Sequence, residues 1–295
     1  MKNAILYITT VLIWGSTWLA IEFQLGETAV LTSVFYRFSI AALIMWAYCL
    51  AFKVNMTYGL KDHGFIGLMA LFNFSLNYVL IYQSQQYLTS AMTCIVFSTM
   101  LLMNIINTRL FFGDKIAPKV WLGALLGLGG LVVLFWNELG ESQSDTWLGL
   151  SLGLAATLTA SFGNMVSVRN SRSGVNVLAA NAWGMLYGSL ALGLMMLVLG
   201  TDFAISWQPD YLISLLYLAV FGTVIAFATY YILLNEMGPG KASYVIVLFP
   251  VVAVVLSSLF EGFVWTGYTF TGFVLVLLGN AVILAPEKKM KQVSD

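Results

Sequence analysis

The residues best suited to chemistry are charged or polar side chains inside long apolar runs. Arg37 is the only charged residue well inside such a run. A guanidinium in an apolar surrounding is costly, so it usually faces a cavity or a partner. Two roles are open for Arg37. It holds the carboxylate or carbonyl of a bound solute, or it pairs structurally with Glu22 or with the carbonyls of a broken helix.

Amide and hydroxyl residues recur at helical spacing in two other runs. Asn73 and Asn77 are one turn apart, and Thr93, Phe97 and Asn104 share one face of the following run. Because residues three or four apart are neighbours on a helix, each set forms a polar stripe. We expect both stripes to point away from lipid. They contact a bound solute, or their amides join one helix to the next.

Aromatic residues and one proline complete the candidate site. Trp14 and Trp18 are one turn apart, and Trp183, Tyr230 and Tyr244 lie in or near other candidate helices. Such rings beside amides suit a flat, neutral, partly aromatic ligand, although rings also form interfacial belts and cores. Pro250 lies near the middle of an apolar run, where proline removes a backbone hydrogen bond. It predicts a helix break or gate.

Several kinds of chemistry are excluded by residue types that are missing. His63 is the only histidine, and the two cysteines, Cys49 and Cys94, lie inside apolar runs, where they are typical of small core residues. The sequence has no Walker-type phosphate loop and no paired nucleophile and base within the runs. We therefore predict no cofactor, no metal and no enzymatic activity. No acidic residue or histidine lies in the middle of a run, so no proton relay is evident.

Composition places the chain in lipid. Hydrophobic residues make up 60% of the 295 positions and charged residues 9%, and the mean hydropathy is +0.89. A soluble domain has roughly 25% charged residues. Since this chain cannot cover a surface with polar groups, it is predicted to be an all-α membrane protein. The net charge of zero gives no indication of a nucleic-acid partner.

Ten apolar segments can be drawn, and loop charges orient them. The segments are 4–21, 30–52, 64–82, 88–110, 118–136, 147–168, 175–199, 211–234, 241–260 and 264–285. With the first residue in the cytoplasm, every lysine and arginine except Arg37 falls on the cytoplasmic side. This distribution follows the positive-inside rule. We therefore expect both termini to be cytoplasmic.

The two halves of the chain repeat one pattern. A Gly113-Asp114 turn precedes a segment with glycines at 123 and 130, and a Glu261-Gly262 turn precedes one with glycines at 272 and 279. Such self-similarity indicates an internal repeat. Five segments per half is an odd number, so the halves should be inverted around a central cavity, the usual architecture of secondary transporters. The predicted units are 1–137 and 147–286, followed by a cytoplasmic tail at 287–295.

These motifs, in this order, resemble the drug/metabolite transporter superfamily, and specifically its EamA family. The residues that carry the resemblance are Trp14-Gly15-Ser16, Arg37-Phe38, Ala41-Ala42, Thr89-Ser90-Ala91, Gly113-Asp114, Gly123, Gly130, Ala242, Pro250, Glu261, Gly272 and Gly279. Thr99 departs from the pattern, because the family often has a proline there that matches Pro250. The resemblance implies ten helices, a central cavity and transport of small metabolites, often amino acids, across the inner membrane.

Two classes of solute are compatible with this sequence. A neutral heteroaromatic of the riboflavin type, imported, fits the aromatic and amide content and is preferred. An exported amino acid is the alternative, and it would give Arg37 a carboxylate to hold. A membrane enzyme or structural subunit is a remote third possibility. The expected partners are the solute and the bilayer, with no nucleic acid and no ATPase subunit; the sequence does not predict an oligomeric state.

Overall fold

A computed structural model describes residues 2–136, 144–242 and 244–285. These residues form ten helices and no strands. The helices are α1 (Lys2–Glu22), α2 (Val30–Ala51), α3 (Leu60–Gln85), α4 (Ser90–Phe112), α5 (Pro118–Leu134), α6 (Ser144–Arg172), α7 (Val177–Leu199), α8 (Pro209–Ala219, Val220–Ile225 and Ala226–Ala242 in direct succession), α9 (Val245–Phe260) and α10 (Gly267–Leu284).

Length and composition make this bundle a membrane protein. Eight of the helices in the described residues are long and apolar enough to cross a bilayer, and two apolar helices, α5 and α9, are shorter. Helices suit this environment because every backbone hydrogen bond is satisfied within the segment. The prediction of an all-α membrane protein is confirmed.

Some helix ends differ from the predicted segments. α8 continues to Ala242 and α9 begins at Val245, so the eighth helix runs past the predicted end of its segment at residue 234 and includes residues 241 and 242, where the ninth segment was predicted to start. A Gly-Pro pair is a strong turn signal, but here the helical backbone continues through it. α6 also extends beyond its predicted segment at both ends. Hydropathy marks the part of a helix that lies in lipid, whereas helical hydrogen bonding continues into the polar flanks.

The helices α3, α4 and α8 contain irregular stretches, whereas α9 is a regular helix. α3 contains a π-helical stretch at Leu71–Leu76 and α8 contains one at Val220–Ile225. α4 is interrupted between Phe97 and Met100, where the hydroxyls of Ser98 and Thr99 each donate to a carbonyl three residues earlier, at 2.7 Å. At Pro250, for which the sequence predicted a helix break or gate, the helix does not end. α9 is continuous through Pro250, and the break lies in α4 because these hydroxyls stabilise a tighter turn there.

Loops at each end of the bundle contact one another in the pattern that ten alternating spans require. The acidic end includes Glu22, Glu27, Asp202, Asp210 and Glu261. Here the α1–α2 connection meets the α7–α8 connection, and the Glu27 carboxylate accepts a hydrogen bond from Ser206 at 2.9 Å.

The opposite, basic end includes most of the lysines and arginines. An Arg169–Asp62 ion pair at 2.9 Å joins α6 to α3, and a Lys2–Glu236 pair at 2.6 Å joins α1 to α8. The Lys119 ammonium of α5 donates to the Ala285 carbonyl that follows α10. Each contact joins elements that the predicted path places at the same end.

α5 and α10 pack backbone against backbone through glycines. A β-carbon added to Gly123 would lie 2.6 Å from the Gly279 carbonyl oxygen, and one added to Gly130 would lie 2.8 Å from the Gly272 carbonyl oxygen. Because the earlier glycine of α5 meets the later glycine of α10, the two helices run antiparallel. Small residues allow this close approach, which is a common means of joining helices in membranes.

Candidate functional site

α1 presents both of its predicted tryptophans to other helices. The Trp14 ring lies 4.9 Å from the Tyr230 ring and 5.7 Å from the Phe227 ring, both on α8. The Trp18 ring lies 5.3 Å from that of Phe97 on α4 and 6.2 Å from that of Phe249 on α9. We call these six residues the α1 aromatic group. It includes four of the residues predicted from the sequence, namely Trp14, Trp18, Phe97 and Tyr230.

Glycine at position 15 allows α1 to come this close to α9. A β-carbon there would lie 2.9 Å from the Phe249 carbonyl oxygen and 2.4 Å from the Val252 β-carbon. Such distances are too short for real contacts, so any larger residue would push the helices apart. The Trp-Gly-Ser motif therefore places Trp14 and Trp18 against neighbouring helices because the residue next to Trp14 has no side chain.

Arg37 is completely enclosed, with 1% of its surface exposed. Its guanidinium lies 4.6 Å from the centre of the Tyr78 ring, a cation–π distance. It donates to the Tyr82 hydroxyl at 3.4 Å and to the Thr223 hydroxyl at 3.5 Å. Thr223 belongs to the π-helical stretch of α8. Arg37 belongs to neither of the ion pairs described above, so the pairing with Glu22 that the sequence left open is not formed.

The two asparagines of α3 lie in or beside its π-helical stretch. Asn73 lies within it, directly against Gly163 of α6: a β-carbon added to Gly163 would overlap the Asn73 side chain. Asn77 follows the stretch and is 4% exposed, and its Oδ1 has no hydrogen-bond partner. π-Helical stretches are frequent at functional sites. The predicted stripe therefore divides, with Asn73 at a helix contact and Asn77 buried with an unpaired acceptor.

The polar residues of α4 also divide between two environments. Asn104 Oδ1 accepts from Asn164 Nδ2 of α6 at 3.3 Å, and one turn further Asn107 Nδ2 donates to the Ser161 hydroxyl at 2.8 Å. Amides thus join α4 to α6, the second role left open by the sequence. Thr93 differs, because it is fully buried and its hydroxyl has no partner.

Two predicted aromatic residues are not members of the α1 aromatic group. Trp183 of α7 contacts the His63 ring at 4.7 Å and the Trp46 ring at 4.5 Å, and its indole N–H donates to the Met56 carbonyl. Its ring partners therefore lie on α2 and α3, near the basic end. Tyr244 is the half-buried residue that precedes α9. Its neighbour Val245 packs in a cluster with Trp14 and Tyr230.

Sequence reasoning missed three residues of this region. Gln85, near the end of α3, is 4% exposed, and its Nε2 donates to the Trp18 carbonyl at 3.1 Å. Phe249 and Thr223 contact predicted site residues as described above. Phe249 precedes Pro250, and Thr223 is one of many threonines in apolar runs. Their residue types do not mark them as site residues. Only their contacts with a neighbouring helix distinguish them from other phenylalanines and threonines.

Two cavities lie away from these residues. One, of 240 Å³, lies between α1 and α8 and includes Ser16, Asp210 and Tyr217 in its lining. The other, of 500 Å³, lies beside the start of α10 and includes Val133 and Tyr268. Neither is lined by a predicted substrate-binding residue. In this conformation the central side chains pack against one another.

Comparisons with known proteins agree with this architecture. The model of the EamA-like transporter family matches residues 1–136 and again residues 147–285. The chain is 28% identical over 285 residues to "Uncharacterized inner membrane transporter YedA" of Escherichia coli strain K12, covering 94% of this chain and 90% of that protein. It is 22% identical to "Protein PagO" of Salmonella typhimurium, with the same coverage.

A solved crystal structure has the same fold. It superposes with a TM-score of 0.67 over 95% of this chain and 96% of that chain, at 19% sequence identity. The family model covers nearly all of this chain in two successive matches. The protein is therefore a member of the EamA-like transporter family, a multi-pass membrane transporter that acts on a small-molecule substrate.

Proposed function

We propose that this transporter carries a small, largely neutral solute with a flat aromatic or heteroaromatic body. Riboflavin, imported, is the best single choice. The observation that carries the proposal is the α1 aromatic group, in which rings from α4, α8 and α9 surround two tryptophans of α1. Ring–ring contacts contribute about 0.5–1.5 kcal/mol each beyond the area they bury. A planar solute that enters between two of these rings would form ring contacts of the same kind as the one it separates.

Buried polar groups of α3 and α4 support a neutral solute. Asn77 and Gln85 are amides, and Thr93 has a hydroxyl; all three are at least nine-tenths buried. Amides and hydroxyls orient a ligand without requiring it to be charged. A family of transporters also gives no reason to expect catalysis, and we propose that the chain is not an enzyme.

An exported amino acid is the second candidate, and one observation favours it. Arg37 is a buried cation with only long hydrogen bonds to hydroxyls and contacts with rings. A buried charge without a counter-charge is costly. A substrate carboxylate would supply that charge and would form shorter, charge-assisted bonds.

Transport is proposed to occur by alternating access between two inverted halves, 1–137 and 147–286. Three observations support this arrangement. The π-helical stretches begin at Leu71 and Val220, 149 positions apart, and the left-handed glycines Gly113 and Gly262 have the same separation. The matching helices α5 and α10 cross antiparallel at their glycines. Exchange of conformation between such halves would turn a site that opens to one side into a site that opens to the other.

The basic end is proposed to face the cytoplasm of a bacterial-type inner membrane, which places both termini there; residues 287–295 lie outside the described part. Cysteine labelling in sealed vesicles tests this orientation. Ser171→Cys, at the basic end, should react only from the cytoplasmic side, and Trp207→Cys, 80% exposed at the acidic end, only from outside. Labelling of both from one side would refute the proposed path.

The solute is tested with purified protein in liposomes. Labelled riboflavin and labelled phenylalanine are offered to wild type, Trp18→Ala and Arg37→Gln. For a heteroaromatic, Trp18→Ala should weaken affinity by about tenfold, as the loss of two ring contacts predicts, and Arg37→Gln should have a small effect. For an amino acid, Arg37→Gln should cost about ten- to a hundredfold, because a charge-assisted bond is lost.

Two further outcomes are informative. A structural Arg37 would give a third pattern, in which Arg37→Gln lowers the melting temperature while the affinity is retained. Transport of neither solute by the wild type would refute both substrate proposals.

A further inference from the structure

We infer that Gln85 and Thr93 form a subsite of hydrogen-bond acceptors beside Trp18, and that the transported solute binds there through an N–H group. This inference rests on the proposed function and specifies what the solute must present. Gln85 Oε1 and Thr93 Oγ1 are both buried without a hydrogen-bond partner. Gln85 is 4% exposed and Thr93 is fully buried. Most buried polar atoms in proteins are paired, so two unpaired oxygens in one region need an explanation.

The orientation of the Gln85 amide follows from its own bond. Its Nε2 donates to the Trp18 carbonyl at 3.1 Å, and a carbonyl can only accept. The Gln85 oxygen is therefore the free end of the amide, and it is an acceptor only. Rotation of the amide would exchange this bond for a contact between two oxygens. Whatever satisfies Oε1 must bring a donor.

Both oxygens are located by the same tryptophan. Gln85 is bonded to the backbone of Trp18, and Phe97 contacts the Trp18 ring at 5.3 Å. Thr93 lies one helical turn before Phe97 on α4, so the two share a face. A ring that stacks on Trp18 therefore has acceptors from α3 and α4 near its edge. Flat heterocycles with ring N–H groups, and ammonium groups, can donate to the Gln85 oxygen, and the Thr93 hydroxyl can accept from the same groups.

α4 provides a way for a solute to reach these atoms. In the present conformation Trp18 is 6% exposed, and its ring packs against the Phe97 ring of α4. The interruption of α4 begins at Ser98, the residue after Phe97. Thr93 and Phe97 thus lie together on the short segment Ser90–Phe97. A movement of this segment at the interruption would separate Phe97 from Trp18 and expose both acceptors to the same space.

Pairs of probes in which methylation removes the N–H donors of one group test the inference. The first pair is riboflavin and 3-methylriboflavin, in which a methyl group replaces the N3 hydrogen. The second pair is phenylalanine and its N,N,N-trimethyl derivative. Equilibrium binding to purified wild-type protein should favour the N–H member of a pair by about five- to tenfold, as expected for a hydrogen bond to a buried acceptor.

Variants then assign this preference to the two residues. Gln85→Leu removes the acceptor and should bring the ratio of dissociation constants close to one, and the nearly isosteric Thr93→Val should lower it. Gln24→Leu is the matched control. Gln24 is 1% exposed and also has an unpaired Oε1, but it is bonded to Tyr211 and Ser214 at the start of α8.

The outcomes separate this inference from the proposed function. If a probe binds but the N–H member is not preferred, or if the preference survives in Gln85→Leu and Thr93→Val, the subsite is refuted and the proposed function stands. Should Gln85→Leu fail to fold, Thr93→Val decides alone. If no probe of either pair binds the wild type, the proposed function and the subsite are both refuted.

Discussion

The antiparallel contact between α5 and α10 predicts that a glycine-to-alanine substitution lowers the stability at some positions and raises it at others. In Gly272→Ala, the new β-carbon would lie 2.5 Å from the Leu134 backbone nitrogen and 2.6 Å from the Gly130 carbonyl oxygen. These neighbours are backbone atoms, so no side-chain rotation can relieve the overlap. Relief requires that the two helices move apart along their whole contact.

Two opposing effects determine the size of the change. Overpacking costs typically 1–3 kcal/mol, and about the upper half of that range is expected where backbone must move. Alanine in a helix recovers about 1 kcal/mol relative to glycine. The net prediction for Gly272→Ala is a loss of about 1–2 kcal/mol. Gly129→Ala is the matched control, because nothing lies within 4 Å of its added β-carbon. Only the helical gain of about 1 kcal/mol applies there.

Thermal unfolding in one mild detergent measures both variants. One kcal/mol corresponds to a shift of about 2–4 °C for a chain of this order of size. We expect Gly272→Ala to melt about 2–8 °C below the wild type and Gly129→Ala to melt slightly above it. A Gly272→Ala protein that melts at or above the wild-type temperature would refute the backbone contact between α5 and α10.

Three further predictions test other contacts. Glu261→Ala should lower the unfolding free energy by about 1.5–3 kcal/mol, because this carboxylate accepts two hydrogen bonds at the start of α4. Its control, Glu27→Ala, loses one exposed hydrogen bond and should lower the unfolding free energy by less than about 0.5 kcal/mol. Equal melting temperatures of the two variants would contradict this difference. Pro250→Ala should fold normally but transport severalfold more slowly at matched expression, because proline leaves one backbone carbonyl of α9 without its helical hydrogen bond; unchanged turnover would make Pro250 a packing residue. Gly163→Ala should be destabilising alone and partly rescued by Asn73→Ala, since the two side chains would overlap; additive effects in a double-mutant cycle would refute their contact.

Hydropathy predicts the ten spans because the surface that a helix exposes to lipid must be apolar, and hydropathy detects such apolar stretches. The repeated glycine spacing also indicates correctly that Gly123, Gly130, Gly272 and Gly279 have related roles. It does not reveal that the two pairs face one another. The partners of a glycine depend on which helices are neighbours in the bundle. The spacing of residues along one helix contains no information about its neighbours.

The same limit explains the candidate residues that separate in space. Trp14 and Trp183 are equivalent as sequence signals, but α1 packs among α4, α8 and α9, whereas Trp183 of α7 meets α2 and α3. Gln85 was missed because an amide near the end of an apolar run is normally solvated. The π-helical stretches have no recognisable sequence signature. One wide turn differs from an α-helical turn by a single residue, and tertiary packing determines where it forms.

The pairing of α5 with α10 has a consequence for the thickness of the surrounding bilayer. These helices have 17 and 18 residues, or about 26 Å of length at 1.5 Å per residue. The exposed tryptophans Trp121 and Trp136 lie near opposite ends of α5, about 22 Å apart on the same scale. Tryptophans favour the interfaces on either side of the hydrocarbon layer, which is normally about 30 Å thick. Lipids along this edge must therefore compress, at a fraction of a kcal/mol per Å, and the protein should be most stable among lipids with short acyl chains.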